Sequence, residues 1–305
     1  MGRGSYTASD WSKLKNSRNI TADASASQLF QKNSVDERFD PRFVNVRESC
    51  DSEDSPEATP IIIGFDVTGS MGYLAEELAK NSLNATVTNL LEKQPVTNPH
   101  ILCAAIGDSK SDLGPLQVTQ FEADIRIAEQ LLDLWLEGRG GGNGGESYHL
   151  LWYFADKHTR TDSYEKRKKK GFLFTIGDEP CHMELTKEEI KRVFDDDVQL
   201  ASYSSKDLYK RVSEKYETFH IFLDKYPQRT KSVVDNWQQI VGDRFAILKP
   251  EEVEYIPHVI TSIMQIVNGM DKNKAINQWE DAAKQVVSRA LATIRFDREK
   301  KFLFF

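Results

Sequence analysis

Five short apolar runs constrain the fold of this chain more than any other feature: Ile61–Phe65, Ile101–Ile106, Phe172–Ile176, Phe219–Leu223 and Phe245–Leu248. Each run is continuous. A strand with one wet face alternates apolar and polar residues, so a strand apolar throughout must be covered on both faces, as parallel strands between helices are. Helical patterns separate the runs. Ile125, Ala128, Leu132 and Trp135 fall on one face, and Ile260, Ile263, Met264 and Val267 on another. From Ser70 to about Glu92 the apolar side changes midway, from Met71, Leu74 and Leu78 to Leu83, Val87 and Leu90. That change predicts a central helix covered on both sides. Leu116–Phe121 follows the polar turn GDSKSDLGP directly after the second run. So short a connection permits only an antiparallel hairpin, hence an edge strand. The expectation is an α/β fold: a doubly wound, mostly parallel sheet with one antiparallel edge strand and helices on both faces.

Residues 60–270 carry this pattern. Residues 1–59 are rich in Ser, Asp, Asn and Arg, with isolated aromatics at Trp11, Phe30, Phe39 and Phe43, too few for a core of their own. They read as a polar extension laid on the main domain, the alternative being a tail that orders on a partner. Residues 271–305 are set apart from the domain: MDKNK, starting at Met270, reads as a linker. Ile276, Trp279, Ala283, Val286 and Ala290 then mark a long amphipathic helix, ending in an apolar FLFF. Packing on the domain is expected, with a dimer contact as the alternative, so the chain should be a monomer or a weak homo-oligomer.

With 305 residues and a net charge of −7, the chain lacks the basic surface that a general grip on nucleic acid needs. Cys50, Cys103 and Cys181 are too scattered for a disulfide framework or a paired zinc spacing. The first residues show no apolar stretch of signal type, and no run approaches the roughly 20 residues that cross a bilayer. The expected location is cytoplasmic, away from membranes.

In open α/β sheets ligands bind beyond the carboxyl ends of the strands. The first run ends in Asp66, Thr68 and Ser70, the second in Asp108, and the third in Asp178 and Glu179. A glycine-rich stretch, GRGGGNGGES, opens a helix near Glu146 and brings Asn143, Glu146 and Ser147 to the same edge. These are hard oxygen donors without convergent histidines or thiolates. They suit Mg²⁺ first, then Mn²⁺ or Ca²⁺, rather than zinc. Gly69 and Gly72 would let the backbone approach the ion.

The stretch DVTGSM matches the Asp-x-Ser/Thr-x-Ser motif of von Willebrand factor A-like (vWA) domains. From about Pro60 to Asn268 the chain resembles such a domain of intracellular bacterial or phage type. The resemblance implies a metal-ion-dependent adhesion site (MIDAS), in which Asp66, Thr68 and Ser70 form the first loop and Asp178 follows the fourth strand. The family's second loop offers a threonine, which GGGNGGES lacks; Glu146 is the first substitute and Asn143 the second. The resemblance further implies a protein-binding adaptor or assembly factor, not an enzyme. It would work beside an AAA-type ATPase system and capture an Asp or Glu carboxylate of its partner through the ion, with Met71 and Tyr73 as the nearest apolar rim.

Other features admit plainer readings. The glycine-rich stretch lacks the Gly-Lys-Ser/Thr of a phosphate-binding loop. The basic run Glu165 to Lys170 reads as a solvated loop, and Asp108 as a hairpin-turn residue. Cys181 and His182 are adjacent and so poorly placed to act as a nucleophile and its base; they read as rim residues. His149, His158, His220 and His258 read as structural. The alternative function is a Mg²⁺-dependent phosphohydrolase of haloacid-dehalogenase type with Asp66 as nucleophile. Its acid/base, two residues on, would be an aspartate where this chain has Thr68.

Overall fold

The computed structural model describes residues 6–138 and 144–296. Its centre is a six-stranded sheet built from β1 (Thr59–Asp66), β2 (Pro99–Ile106), β3 (Leu116–Val118), β4 (Gly171–Gly177), β5 (Tyr216–Leu223) and β6 (Phe245–Leu248). Across the sheet the order is 3-2-1-4-5-6. All neighbours are parallel except β2 and β3. The five apolar runs are thus the parallel strands, and the edge hairpin is antiparallel as expected, although β3 stops at Val118. Its outer edge is not left bare, because the Val118 N–H donates to the Phe39 carbonyl.

The continuous apolar runs have the predicted cause. Ile61, Ile63 and Phe65 enter one buried cluster with Leu74, Leu83 and Ile260, while Ile62 enters a second, on the other face, with Leu151, Trp152 and Trp237. Both faces of β1 are therefore dry. The order of the strands reverses between β1 and β4, so the crevice at their carboxyl ends is the topological switch point of the sheet. Asp66 ends β1, and Asp178 directly follows β4.

The segment after β1 departs from expectation. A short helix, Gly72–Glu77, runs into a π-turn, Leu78–Ser82, and then into the helix Leu83–Lys93. The Leu83 N–H donates to the Leu78 carbonyl, five residues back. The wider turn absorbs one extra residue and so rotates the following helix back into line. Met71, Leu74, Leu78, Leu83, Val87 and Leu90 consequently share one buried cluster. The change of apolar side marks a π-turn rather than a helix covered on two sides.

Two further segments differ from their sequence reading. The helix Arg126–Leu132 ends before Trp135, whose N–H and carbonyl are held by the Gln117 side chain. MDKNK is not a linker: Asp271 caps a helix, Lys272–Asn277, by accepting from the Lys274 N–H. A second helix, Asp281–Ala290, follows after a break in which the Trp279 indole N–H donates to Ser262 Oγ at 2.8 Å. The FLFF tail lies outside the described residues. At the other end, Trp11 and Leu14 of the helix Ala8–Ser17 are buried, with Phe30 and Phe39, in the same cluster as β1, whereas Phe43 is 61% exposed.

Candidate metal centre

Asp66 is fully buried at the end of β1. Its Oδ1 accepts from the Thr68 N–H at 2.8 Å and from the Thr68 hydroxyl at 2.7 Å. Those two bonds fold the chain sharply after the strand and into the turn Gly69–Met71. Its Oδ2 accepts from the Tyr148 hydroxyl at 3.0 Å. Tyr148 opens the helix Tyr148–Lys157 and is fully buried, edge-on to His220 and Trp237. A side chain on Gly177, the last residue of β4, would place its Cβ 2.7 Å from Tyr148 Cζ. Glycine at that position is what allows the tyrosine to reach Asp66.

Asp178 is 2% exposed, and its charge raises the carboxyl of Asp66 on top of the larger effect of burial, to about 7. Glu146 is brought in by the chain just before Tyr148. Its N–H donates to the Pro180 carbonyl at 2.9 Å, and its own carbonyl accepts from the His182 N–H at 3.1 Å. This pairs the end of the glycine-rich segment with the loop after β4. Glu146 is 1% exposed, and its Oε2 has no hydrogen-bond partner among the described residues. Burial, then the charges of Asp66, Asp108, Asp112 and Glu179, push its carboxyl up to about 10.

The structure therefore brings Asp66, Thr68, Glu146 and Asp178 to one crevice. Ser70 has its backbone in the same turn, with its side chain outside the described residues, and Asn143 lies outside them altogether. Three buried carboxylates, of which Asp66 and Glu146 are raised by burial and by neighbouring charge and Glu146 carries an oxygen without a hydrogen bond among the described residues, are costly without a compensating charge. A divalent cation would supply that charge. Among the described residues no three His, Cys, Asp or Glu side chains are arranged to hold an ion by themselves. A donor set here would mix carboxylate and hydroxyl oxygens, which would suit a hard cation. Because the Thr68 hydroxyl gives its proton to Asp66, its own oxygen keeps lone pairs to offer.

Other residues turn out to be engaged elsewhere. Glu179 forms a two-pronged ion pair with Arg229, with Nη1 to Oε1 at 2.7 Å, so it is committed away from the crevice. Met71 is fully buried in the core, because the turn Gly69–Met71 directs it inward; it is not a rim residue. Gly69 does permit a close approach, as a Cβ there would stand 3.1 Å from the Gly138 carbonyl oxygen, but nothing lies within 4 Å of a Cβ on Gly72. Asp108 has the expected turn contacts, to the Lys110 N–H and the Ser111 hydroxyl. It also accepts from Ser147 Oγ at 3.1 Å and lies 2.9 Å from His182 Nε2, so it ties three loops together beside Glu146.

Cys181 does not face its neighbour His182. Its Sγ lies 3.6 Å from His149 Nδ1. Burial pushes the thiol up to about 12 and, with the charge of His182, pushes the imidazole of His149 down to about 4. Both shifts oppose a thiolate–imidazolium pair, and the contact is a packed core one. The basic run is engaged at the opposite end of the sheet, with Lys166 paired to Asp162, Lys169 to Glu57 and Lys170 to Glu217.

No family model matches the chain, and no curated protein matches it either. Among solved structures, the open conformation of the pilus adhesin SpaC from Lactobacillus rhamnosus GG is 10% identical, with a TM-score of 0.46 over 72% of this chain and 31% of the adhesin. Proximal thread matrix protein 1 from the mussel byssus, with a zinc-occupied MIDAS motif, is 10% identical, with a TM-score of 0.42 over 71% of this chain and 49% of its own. This chain spans about a third to a half of the length of these proteins. The crevice must be judged on its own residues. Tyr148 is the residue that sequence reasoning missed. It lies 82 positions from Asp66, and the packing of its helix on the sheet together with the pairing of Glu146 to the β4 loop brings the two together. Among the described residues, no helix is long and apolar enough to cross a membrane.

Proposed function

We propose that this chain is a vWA-like binding module that holds one divalent cation, Mg²⁺ first, at Asp66, Thr68, Ser70, Glu146 and Asp178, and captures a partner without turning it over. The observation that carries this reading is the buried convergence of Asp66, Glu146 and Asp178 at the switch point of the sheet, with Glu146 Oε2 left without a hydrogen bond among the described residues. When bound, the ion supplies an electrophilic position that an outside carboxylate can complete. The residues of the chain do the rest. Thr68 and Tyr148 fix the Asp66 carboxylate through both oxygens, and the strand ends keep the donors rigid. The partner would present an Asp or Glu at its contact surface, and components of an AAA-type ATPase system are the first to test.

Affinity capture with the intact protein as bait, in Mg²⁺ and again in excess chelator, tests this. A partner recovered in Mg²⁺, lost on chelation and lost with Asp66→Ala supports it. A partner that stays bound through both changes contradicts it.

A further inference from the structure

Where the N-terminal extension is joined to β3, at the outer edge of the sheet, the two enclose an open cavity of about 500 Å³. Phe39, Phe43, Val44 and Val46 give it an apolar wall, and Arg47 and Gln120 line it with polar groups. Phe43 and Val46 are exposed there. β3 runs antiparallel to β2, so Gln120 lies towards the amino ends of the parallel strands, away from the crevice.

Arg47 is a cation without an ion pair among the described residues. Its backbone is fixed, because the short strand Arg47–Ser49 pairs with Thr159–Thr161. Its Nη2 donates to the carbonyls of Arg38 and Val118, the latter at 2.9 Å. Its Nε is buried and meets no acceptor among the described residues, and Nη1 donates to none of them. Burial pulls the guanidinium down to about 10, against the charge of Glu122, so it stays positive at neutral pH. Glu122 is itself paired with Arg126 at 3.0 Å, and the other cation at the cavity, Arg38, is taken up by Asp36 and Asp133.

A half-buried charge whose acceptors are neutral carbonyls is costly, and a carboxylate is the acceptor that a guanidinium fits best. Gln120 supplies a second donor. Its Oε1 accepts from the Phe121 N–H at 2.9 Å, which leaves its Nε2 without a hydrogen bond among the described residues. We propose that this cavity binds a small monocarboxylic acid with an apolar body, its carboxylate on Arg47 and Gln120 and its chain or ring against Phe43 and Val46. One cation without an ion pair matches one negative charge. The exposed Glu37, which lines the same cavity, disfavours a dianion such as a phosphate monoester. A concave site with an apolar wall and a few placed polar groups is the form that small-molecule pockets take. The proposal does not depend on the metal-binding reading.

The test titrates the intact protein with phenylbutyrate, phenylbutyramide and acetate, and reads binding by ligand-observed NMR. Excess chelator is present throughout, so that no ion at the crevice can take the carboxylate. Phenylbutyrate should bind about tenfold tighter than either of the others, since the amide lacks the charge and acetate lacks the apolar body. Arg47→Met should remove the preference for acid over amide, and Phe43→Ala should weaken phenylbutyrate several-fold. Arg47 also ties two carbonyls together, so each variant is first shown to be folded by its thermal melt. Gln120→Glu keeps an oxygen for the Phe121 N–H and sets a fixed carboxylate beside Arg47. It should abolish phenylbutyrate binding, and it decides the matter if Arg47→Met does not fold. Equal binding of acid and amide, binding unchanged in Gln120→Glu or in folded Arg47→Met, or no binding of phenylbutyrate overturns the proposal. An N-acetylated peptide ending in a free Phe carboxylate that binds about tenfold tighter than phenylbutyrate overturns it too, in favour of a chain terminus as the occupant.

Discussion

The Tyr148 hydroxyl donates to Asp66 Oδ2 at 3.0 Å, across a junction where Gly177 leaves room for the phenol ring. One helix start is thereby fastened to the end of the central strand, and the carboxylate at the centre of the crevice is held by both its oxygens. Tyr148→Phe keeps the ring and removes the donor. Metal affinity should fall about 10- to 100-fold, as when a partner of a ligating carboxylate is lost, with the fold retained. Calorimetric titration with Mn²⁺, alongside a thermal melt, checks both halves. Unchanged affinity would mean that the contact is only structural.

Gly177→Ala should destabilise the protein by about 1–3 kcal/mol, since the new methyl collides with a fully buried tyrosine that has nowhere to move. Tyr148→Phe combined with Gly177→Ala should cost less than the sum of the two single changes, because one of the colliding atoms is gone. Urea unfolding of the four proteins measures the coupling. Strict additivity would show that the glycine answers some other need.

Glu146→Gln should raise the melting temperature of the metal-free protein while weakening the ion's binding. In the absence of metal, burial and the charges of Asp66 and Asp108 force the Glu146 carboxyl to take up a proton on folding at neutral pH, a cost that the neutral amide avoids. A site that gives up stability for function shows this opposition. Differential scanning calorimetry with and without Mg²⁺ reports it. A variant destabilised in both conditions would place Glu146 in a structural role.

The parallel strands were legible because they are dry on both faces, and the first-loop donors because they follow such a strand directly. Local patterns of that kind survive in one dimension. The π-turn left a trace, the change of apolar side after Leu78, but the trace reads as a doubly covered helix unless an extra residue in the turn is allowed for. Met71 looked like a rim residue because nothing in its neighbours reveals that the turn Gly69–Met71 points it inward. The fates of Tyr148 and Glu179 depend on contacts with residues 82 and 50 positions away, which no local spacing encodes.

The buried His149 gives a pH signature of definite sign. Burial and the charge of His182 push it down to about 4, so between about pH 6.5 and 4 the unfolded chain takes up a proton that the folded protein refuses. Its contribution is therefore complete above about 6.5 and is lost as the pH falls towards 4. Relative to His149→Gln, the wild type should lose about 2 kcal/mol of stability between pH 7 and pH 5. Parallel pH profiles for the two proteins would contradict that environment.

Trp11→Ala should loosen the N-terminal segment, because the Trp11 side chain is buried in the same cluster as β1. Limited proteolysis should then cut within residues 8–30 several-fold faster, as expected when a buried anchor is removed and local opening costs less. Phe43→Ala, at a residue 61% exposed, should leave the rate unchanged. Equal cutting in all three proteins would mean that the segment is held by something other than its aromatics.

The most direct measurement is calorimetric titration of the intact protein with Mg²⁺ and Mn²⁺, compared with the Asp66→Ala and Asp178→Ala variants, each first shown to be folded by its thermal melt. Convergence of the strand-end oxygens at the switch point predicts one ion bound per wild-type chain, a rise in melting temperature with added ion, and loss of both in either variant. Equal binding by all three folded proteins, or none by the wild type, would contradict a metal centre at this crevice.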